Sequence, residues 1–309
     1  MSFNVNGLTT YVNEIEMELI KKMVLGGRTQ RYVSIQPNIK STDTINLISS
    51  TMFAAPGGCG FTSTGTTNLT QQDLTVSPIK FQEELCLDTL ESYYLQVMMA
   101  PGSYQTELPF EQIFVEDKIA NMSSIIDTML WQGSTASANP NLNLMNGWIR
   151  QADTTFSGSV VDGNVSNYTA ITSANIVSIV DEAIQVIPTN IIAEDDLILY
   201  CGYDFARTYF TSLRNQNLYH YPSTADGSMD FEIVIPASNV RLVAVKGLTG
   251  TNKFFITSKK NIWMGTDLLS DFEQFQMWYS LDNQTLRYSA KCKFGVSFAF
   301  PDYVVYFKL

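Results

Sequence analysis

Adjacent acidic residues are the side chains most suited to acid–base or metal chemistry, as at Glu83-Glu84, Glu116-Asp117 and Asp195-Asp196. Two neighbouring carboxylates can act as a general acid and a general base, or they can bind a cation. We predict that Glu116 and Asp117 lie on the solvated side of a helix, and that Asp195 and Asp196 belong to a turn before a strand. No set of acidic residues has the spacing of an EF-hand calcium loop.

Other residue types that enzymes use are sparse. The single histidine, His220, lies in a polar, tyrosine-rich segment, so no histidine-dependent triad with a second histidine can be drawn. Gly57-Gly58-Cys59-Gly60 is rich in glycine, but no predicted helix follows it to cradle a phosphate. We therefore predict no catalytic residue, no cofactor and no metal site. Four cysteines are too few and too scattered for a disulfide framework or a zinc site: Cys59, Cys86, Cys201 and Cys292.

The composition is that of a large, weakly charged chain. Of its 309 residues, 45% are apolar and only 16% are charged, whereas about a quarter are charged in a typical soluble domain. Such a surface indicates contact with other chains. The net charge of −11 and the lack of a basic run exclude a dedicated nucleic-acid-binding protein, although not a container for nucleic acid.

The sequence also leads to expectations about membrane insertion, secretion and the state of the thiols. It has no run of about eighteen apolar residues, so we expect no membrane span. The first residues lack a charged segment followed by an apolar core, so we expect no secretory signal. Free thiols, mostly buried, are the corresponding expectation for the cysteines.

A long amphipathic helix is predicted over Pro109–Gln132. Its apolar residues recur every three or four positions, which is the pattern of a helix with one buried face. Pro109 suits the first turn, where its missing N–H costs nothing, and Gly133 suits a left-handed cap after the last turn. At 1.5 Å per residue, the helix is about 36 Å long and can cross a small domain.

The segment before this helix predicts two extended appendages that lack a core of their own. Thr29–Ser41 has no helical period and predicts an arm. Asp43–Met52 and Leu74–Leu87 predict the strands of a long hairpin, and Ala55–Thr67, rich in glycine, serine and threonine, predicts its flexible tip. A two-stranded hairpin is marginal alone in water, so it must lie on its own domain or on another chain.

The remaining elements predict an α+β fold. Further helices are predicted over Tyr11–Leu25, Cys86–Met99, Thr172–Ile187 and Asp204–Leu213, the third with Thr172 or Ser173 as its N-cap. Trp148–Gly163 is read as irregular, with a hairpin. Strands are predicted over Leu197–Cys201, Phe231–Ile235, Val240–Val245, Lys253–Thr257, Asn261–Met264, Phe272–Leu281, Thr285–Phe300 and Tyr303–Phe307.

The C-terminal segment resembles a known family. It reads TLRYSAKCKFGV over Thr285–Val296 and FPDYV over Phe300–Val304. These residues are similar to the closing strands of the major capsid proteins of tailed bacteriophages, which have the fold named after phage HK97. Phe254–Gly265 resembles another strand of that family, and Asp196–Leu213 resembles its strand-then-helix. The order of the elements extends the resemblance over most of the chain.

The resemblance implies an α+β, HK97-like capsid fold with four parts. Residues 1–42 would form an N-terminal arm and residues 43–82 an extended loop. Residues 83–155 together with 262–309 would form a peripheral domain that contains the spine helix, 109–132. Residues 156–261 would form an axial α/β domain.

The same resemblance implies a function. The chain would be the major capsid protein of a tailed double-stranded DNA bacteriophage, assembled in the host cytoplasm into the icosahedral shell of the virion. Its partners would be copies of itself in pentamers and hexamers, portal and scaffolding proteins, and decoration proteins. Packaged DNA would be contacted only weakly and without specificity, and a membrane not at all.

One departure from the family bears on how such a shell is held together. Some members join their subunits covalently through a lysine of the extended loop. No lysine lies between Lys40 and Lys80 in this chain. We therefore expect a shell that is held non-covalently. The sequence also has no long scaffolding extension ahead of the arm, so we expect scaffolding, if it is used, to be a separate or cleaved protein.

Two alternatives stay open at this stage. An encapsulin-like bacterial shell around a protein cargo would share the fold. An α+β enzyme or ligand-binding protein could instead use an unrecognised site, for instance one built from Asp195, Asp196 and Tyr203. The first would be distinguished by its neighbouring genes, and the second by a monomer or dimer that binds a small molecule.

Overall fold

A computed structural model describes residues 27–54, 57–59, 63–86, 110–194, 196–216, 231–267, 274–283 and 285–309. The predicted helix Tyr11–Leu25 lies outside these ranges, as do His220, Asp195 and all but the first residue of the predicted helix Cys86–Met99.

The elements alternate between long extended segments and a few helices. The helices are α1 (Phe110–Gln132), α2 (Ile176–Gln185) and α3 (Tyr203–Asn215), with a helical turn at Trp148–Arg150 that continues as a π-helix over Gln151–Thr155. Short 3₁₀ turns occupy Thr29–Tyr32, Lys246–Leu248 and Pro301–Tyr303. The strands are β1 (Ser34–Gln36), β2 (Thr42–Met52), β3 (Gly65–Thr75), β4 (Ser77–Cys86), β5 (Val161–Asp162), β6 (Leu197–Cys201), β7 (Glu232–Val234), β8 (Arg241–Ala244), β9 (Phe254–Ser258), β10 (Ile262–Thr266), β11 (Gln274–Ser280), β12 (Thr285–Phe298) and β13 (Val305–Phe307).

A six-stranded mixed sheet forms one half of the body, in the order β5-β13-β9-β6-β8-β7. Its central strand β6 is buried along its whole length because both faces of the sheet are covered. Leu197, Leu199 and Cys201 face the cluster that holds α2 and α3. Ile198 and Tyr200 face the second cluster, which holds α1.

The second sheet is built around β12, which is fourteen residues long. β4 pairs with residues 285–294 of this strand, and β11 pairs with residues 285–291. Because both partners use the same stretch, they lie on opposite edges of β12. β10 pairs with residues 294–298 on the β11 side, and β1 adds a parallel strand outside β10.

Helix α1 joins the two sheets through an aromatic cluster at its C-terminal end. The Trp131 ring lies 4.6 Å from the Trp148 ring and 5.5 Å from the rings of both Tyr200 and Phe255, measured between centroids. The Trp131 Nε1–H donates to Thr29 Oγ1 at 2.9 Å. The predicted apolar stripe of α1 is confirmed where its side chains are described, since Ile119, Met122, Ile126, Met129 and Leu130 are all buried.

The predicted arm Thr29–Ser41 lies on the body instead of extending away from it. Val33 and Ile39 are buried, and β1 pairs with β10.

The helix and strand predictions are largely confirmed, with three local corrections. α1 ends at Gln132 as expected, but Gly133 does not have a positive φ. Glycine is required there because a Cβ would meet the carbonyl oxygens of Met129 and Met145. The N-cap of α2 is Asn175 instead of Thr172 or Ser173. The first half of Trp148–Gly163 is helical, and β5 near its end pairs with β13 instead of forming a hairpin.

The largest correction concerns the hairpin. The prediction gave its second strand as Leu74–Leu87 and left Ala55–Thr67 as a flexible tip, whereas β3 begins at Gly65 and ends at Thr75. Threonine-rich segments suit a strand even without an apolar period. Pro78 does not interrupt the next strand. It lies within β4, which pairs only with β12 among the described strands, and such an edge position tolerates a missing N–H.

The aromatic cluster makes a measurable contribution to stability. We expect Trp131→Ala to lower the free energy of unfolding by about 3–5 kcal/mol, because it leaves a cavity among three other rings. Trp278→Ala is the matched control, since Trp278 is 40% exposed, and it should change the free energy by less than about 1 kcal/mol. Equal losses in urea denaturation of the unassembled subunits would contradict this role.

Candidate assembly interface

The most prominent feature outside the two sheets is the β2–β3 hairpin. Its strands pair over eleven residues each, from Thr42 opposite Thr75 to Met52 opposite Gly65. At about 3.3 Å per residue, the ribbon is about 36 Å long. Within the described residues, β2 and β3 pair only with each other, so both outer edges carry unpaired N–H and C=O groups.

The two faces of this hairpin differ. One face turns towards the body at its base, where Leu47 and Leu74 are buried and Ile45 is partly buried. On the opposite face, Ile48 and Leu69 are direct cross-strand partners and are 66% and 74% exposed. Isolated exposed apolar residues are normal, but a paired patch on a bare ribbon indicates a surface that another molecule covers.

Polar side chains stiffen the rest of the ribbon. Thr42 and Thr75 share a hydroxyl contact of 3.1 Å, and Thr51 and Thr66 share one of 2.9 Å. The Gln71 amide donates to Asn46 at 3.0 Å. Between residues 42 and 75 the only charged residues are Asp43 and Asp73, both at the base. Most of the hairpin can therefore be covered without desolvating a charge.

The predicted chemical residues are not brought together into a site. On β4, the Glu83 carboxylate accepts bonds from Lys118 Nζ at 2.7 Å and from the Tyr288 hydroxyl, whereas Glu84 accepts from Thr285 and Arg287. These bonds outweigh the effect of burial and lower the pKa of Glu83. Each carboxylate thus has a structural partner of its own.

The other acidic candidates are also dispersed. Glu116 and Asp117 are exposed on α1, as predicted. Asp196 precedes β6 and Tyr203 follows it, so the strand holds them about 20 Å apart. The alternative site built from Asp195, Asp196 and Tyr203 is therefore not assembled in the part of it that the structure describes.

Metal-ligating side chains and thiols are the remaining candidates for a chemical site. In the described ranges, no group of three or more histidine, cysteine, aspartate or glutamate side chains is arranged to hold a metal ion. The Cys201 and Cys292 side chains are buried, and the Cys59 side chain is exposed near the hairpin tip. Among the helices that the structure describes, none combines the length and apolar character needed to cross a bilayer.

One buried carboxylate lies where α1 meets the 3₁₀ turn Lys246–Leu248. Asp127 is 3% exposed, and its Oδ2 accepts the N–H of Gly247 at 3.0 Å. Burial raises the pKa of the Asp127 carboxyl, against the bonds from Thr29 and Gly247. Asp127 also lines an open groove of about 500 Å³ with Ile119 and Lys246. Glu116 lines the same groove, but the bond from the Gly247 N–H to Asp127 joins α1 to the 3₁₀ turn and gives this carboxylate a structural role.

Solved structures from phages have a fold similar to that of this chain. The procapsid of satellite phage P4, solved with its size determination (Sid) protein, matches with a TM-score of 0.61 and 12% identity, over 96% of this chain and 98% of that chain. Gordonia phage Cozz matches with a TM-score of 0.59 and 10% identity, over 90% and 85%. The chain has an HK97-like capsid fold.

This capsid fold also occurs outside phages. A virus-like particle from Pyrococcus furiosus matches with a TM-score of 0.51 and 8% identity, over 94% of this chain and 96% of that chain. No protein-family model and no curated protein matches the sequence. Sequence reasoning missed the exposed Ile48–Leu69 pair of the hairpin because β3 was not predicted. The threonines at positions 66, 67, 70 and 75, which favour a strand, were the signal available.

The raised pKa of Asp127 predicts a specific pH dependence. A folded carboxyl with a raised pKa contributes stability below its unfolded pKa, and this contribution is lost as pH rises through the folded value. Asp127→Asn removes the titration, so the stability of the variant relative to the wild type should be greater at about pH 7 than at about pH 4.

Glu83→Gln provides the control for this measurement. The pKa of Glu83 is lowered, so its contribution is present above the unfolded pKa and is lost as pH falls through the folded value. The stability of Glu83→Gln relative to the wild type should therefore be lower at about pH 7 than at about pH 4, which is opposite to the behaviour of Asp127→Asn. Urea denaturation at both pH values measures it, and parallel behaviour of the two variants would contradict the assignment.

Proposed function

We propose that this chain is the major capsid protein of a tailed double-stranded DNA bacteriophage, and that it self-assembles into an icosahedral shell around the genome. The observation that carries the proposal is the bare β2–β3 hairpin, attached to a body whose fold is shared with a phage procapsid protein over nearly the whole of both chains. A ribbon of this kind has no function in an isolated subunit, and it is stable when neighbours cover it.

We assign four parts to the chain on this basis. Residues 1–42 are the N-terminal arm and residues 43–82 are the extended loop, which contains the hairpin. Residues 83–155 with 262–309 are the peripheral domain, supported by the packing of α1 near β12. Residues 156–261 are the axial domain, supported by the cluster that α2 and α3 form on the six-stranded sheet, to which β13 from the C-terminal segment adds one strand.

Assembly supplies the mechanism. A neighbouring subunit covers Ile48 and Leu69, each of which contributes about 1.5–3 kcal/mol when fully buried. The open edges of β2 and β3 offer backbone groups to the same neighbour. Because every subunit gives and receives this contact around pentamers and hexamers, a modest contact free energy is multiplied over the closed shell.

The remaining partners follow from the same proposal. The protein is located in the virion after assembly in the host cytoplasm, with portal, scaffolding and decoration proteins as further partners. The net charge of −11 favours weak, non-specific contact with packaged DNA, because strong binding needs a basic surface.

A cargo shell is the second candidate, supported by the match to the virus-like particle. Its TM-score of 0.51 is lower than the 0.61 of the phage procapsid, which favours the phage capsid. Neighbouring genes decide between them. Portal and terminase genes support the phage capsid, and a gene for a cargo enzyme supports the alternative.

Electron microscopy of the expressed protein tests self-assembly. We expect closed shells for the wild type, and no shells for Ile48→Asp/Leu69→Asp, because burial of a carboxylate at the contact is costly. The free energy of unfolding of the subunit should fall by no more than about 1 kcal/mol, since both residues are exposed and the cost is limited to repulsion between the two facing carboxylates.

Leu144→Asp/Val165→Asp is the control for this assembly test, because it places the same charges on exposed apolar residues of the body. This variant should still assemble. A wild-type chain that stays a compact monomer at high concentration would overturn the proposed function, and shells from Ile48→Asp/Leu69→Asp would overturn the role of the hairpin face.

The absence of lysine in the loop predicts how assembled particles behave on a denaturing gel. After boiling with a reducing agent, we expect a single band at the monomer mass of 34.6 kDa. A gel without reducing agent is the control. Multimers joined by disulfide bonds through the exposed Cys59 would appear only on that gel, whereas multimers joined by other crosslinks would appear on both. A reduction-resistant ladder of multiples would contradict a non-covalent shell.

A further inference from the structure

The base of the hairpin contains a buried ion pair that joins three separate segments. Lys293 extends from β12, and its Nζ lies 2.9 Å from Oδ2 of Asp267, which follows β10. The same Nζ donates to the carbonyl oxygen of Lys40 at 3.0 Å, two residues before β2 begins. The side chains of Lys293 and Asp267 are only 10% and 2% exposed.

Stability alone does not account for such a pair. Desolvating two charges offsets most of their attraction, and apolar residues of similar size in the same place are often at least as stable. The ion pair differs from an apolar contact in being directional, because an ammonium group bonds only along its N–H directions. Here one of those bonds is made to the backbone that leads into the hairpin.

Other contacts make the same junction rigid. The Ile39 N–H donates to the Thr266 carbonyl oxygen at 3.2 Å, and the Val76 N–H donates to the Ser41 carbonyl oxygen at 2.9 Å. On the far side, Gly295 lies so close to Thr75 that a Cβ would collide with the Thr75 carbonyl oxygen. Both strands of the hairpin are therefore held where they leave the body.

We propose that Lys293 and Asp267 are positioning residues, which fix the direction of the hairpin and thereby the geometry with which neighbouring subunits close a shell. This inference rests on the proposed function. The length of the hairpin makes the direction important. A rotation of about 10° at the base moves a tip about 36 Å away by about 6 Å, which exceeds the spacing of about 4.8 Å between paired strands.

The test removes both charges together, so that neither is left buried without its partner. Lys293→Met/Asp267→Asn is the test variant. Lys260→Met/Asp196→Asn is the control, because it removes another lysine–aspartate pair, 3.8 Å apart, whose lysine is 82% exposed. Two measurements are made on the full-length chain: hydrogen exchange of the Ile39 and Val76 amides in unassembled subunits, and electron microscopy of assembled particles.

We expect the two amides to exchange about tenfold faster in the test variant than in the control, because the junction opens locally more often. We also expect open sheets or shells of mixed diameter from the test variant, and uniform shells from the control. Exchange within about twofold of the control, together with uniform shells of wild-type diameter, would overturn the inference while leaving the proposed function intact.

A milder variant keeps the inference testable if the double variant does not fold. Lys293→Arg keeps both charges, so no charge is left buried without its partner, but its planar guanidinium cannot reproduce the directions of the ammonium bonds to Asp267 and to the Lys40 carbonyl oxygen. Faster exchange at Ile39 and Val76 supports the inference, and unchanged exchange overturns it. Hydrogen exchange is measured on the free subunit and does not depend on assembly, so the two ideas can fail separately. A wild-type chain that forms no shells would overturn the proposed function, whatever the exchange rates of Ile39 and Val76 are.

Discussion

The pairing of β12 with a strand on each edge is the constraint on which the rest of the body depends. β4 occupies one edge and β10 and β11 occupy the other, so this strand brings together segments that are about two hundred residues apart in sequence. The buried side chains of β12 belong to the same cluster as those of α1. Its last third also supports the hairpin base, because Gly295 and Lys293 both come from it.

Much of this architecture could be predicted from the sequence where the signal is local. α1 was predicted to within one residue of its start, because its apolar period is regular over many turns. β11 and β12 correspond to the predicted strands Phe272–Leu281 and Thr285–Phe300, which flank a turn signal at Asp282-Asn283. The burial of the α1 stripe and the exposure of Glu116 and Asp117 followed from the same period.

What could not be predicted depends on contacts between distant segments. Nothing near β4 shows that it pairs with β12 rather than with β2, because strand propensity does not encode a partner. β3 was missed since its residues are polar, and their strand conformation comes from cross-strand threonine and amide pairs. Asp267 and Lys293 likewise carry no local sign that they meet in a buried pair, which only the folded sheet brings together.

The open edges of β2 and β3 also make the newly synthesised polypeptide prone to aggregation until its hairpin is covered. A long, nearly uncharged ribbon with unpaired edges can stack on identical ribbons in register, as strands do in amyloid fibrils. Under the proposed function, closure of a shell and precipitation as fibres are therefore competing fates of the same exposed backbone. Closure is favoured when the concentration of free chains is low, or when other subunits bind each new chain quickly.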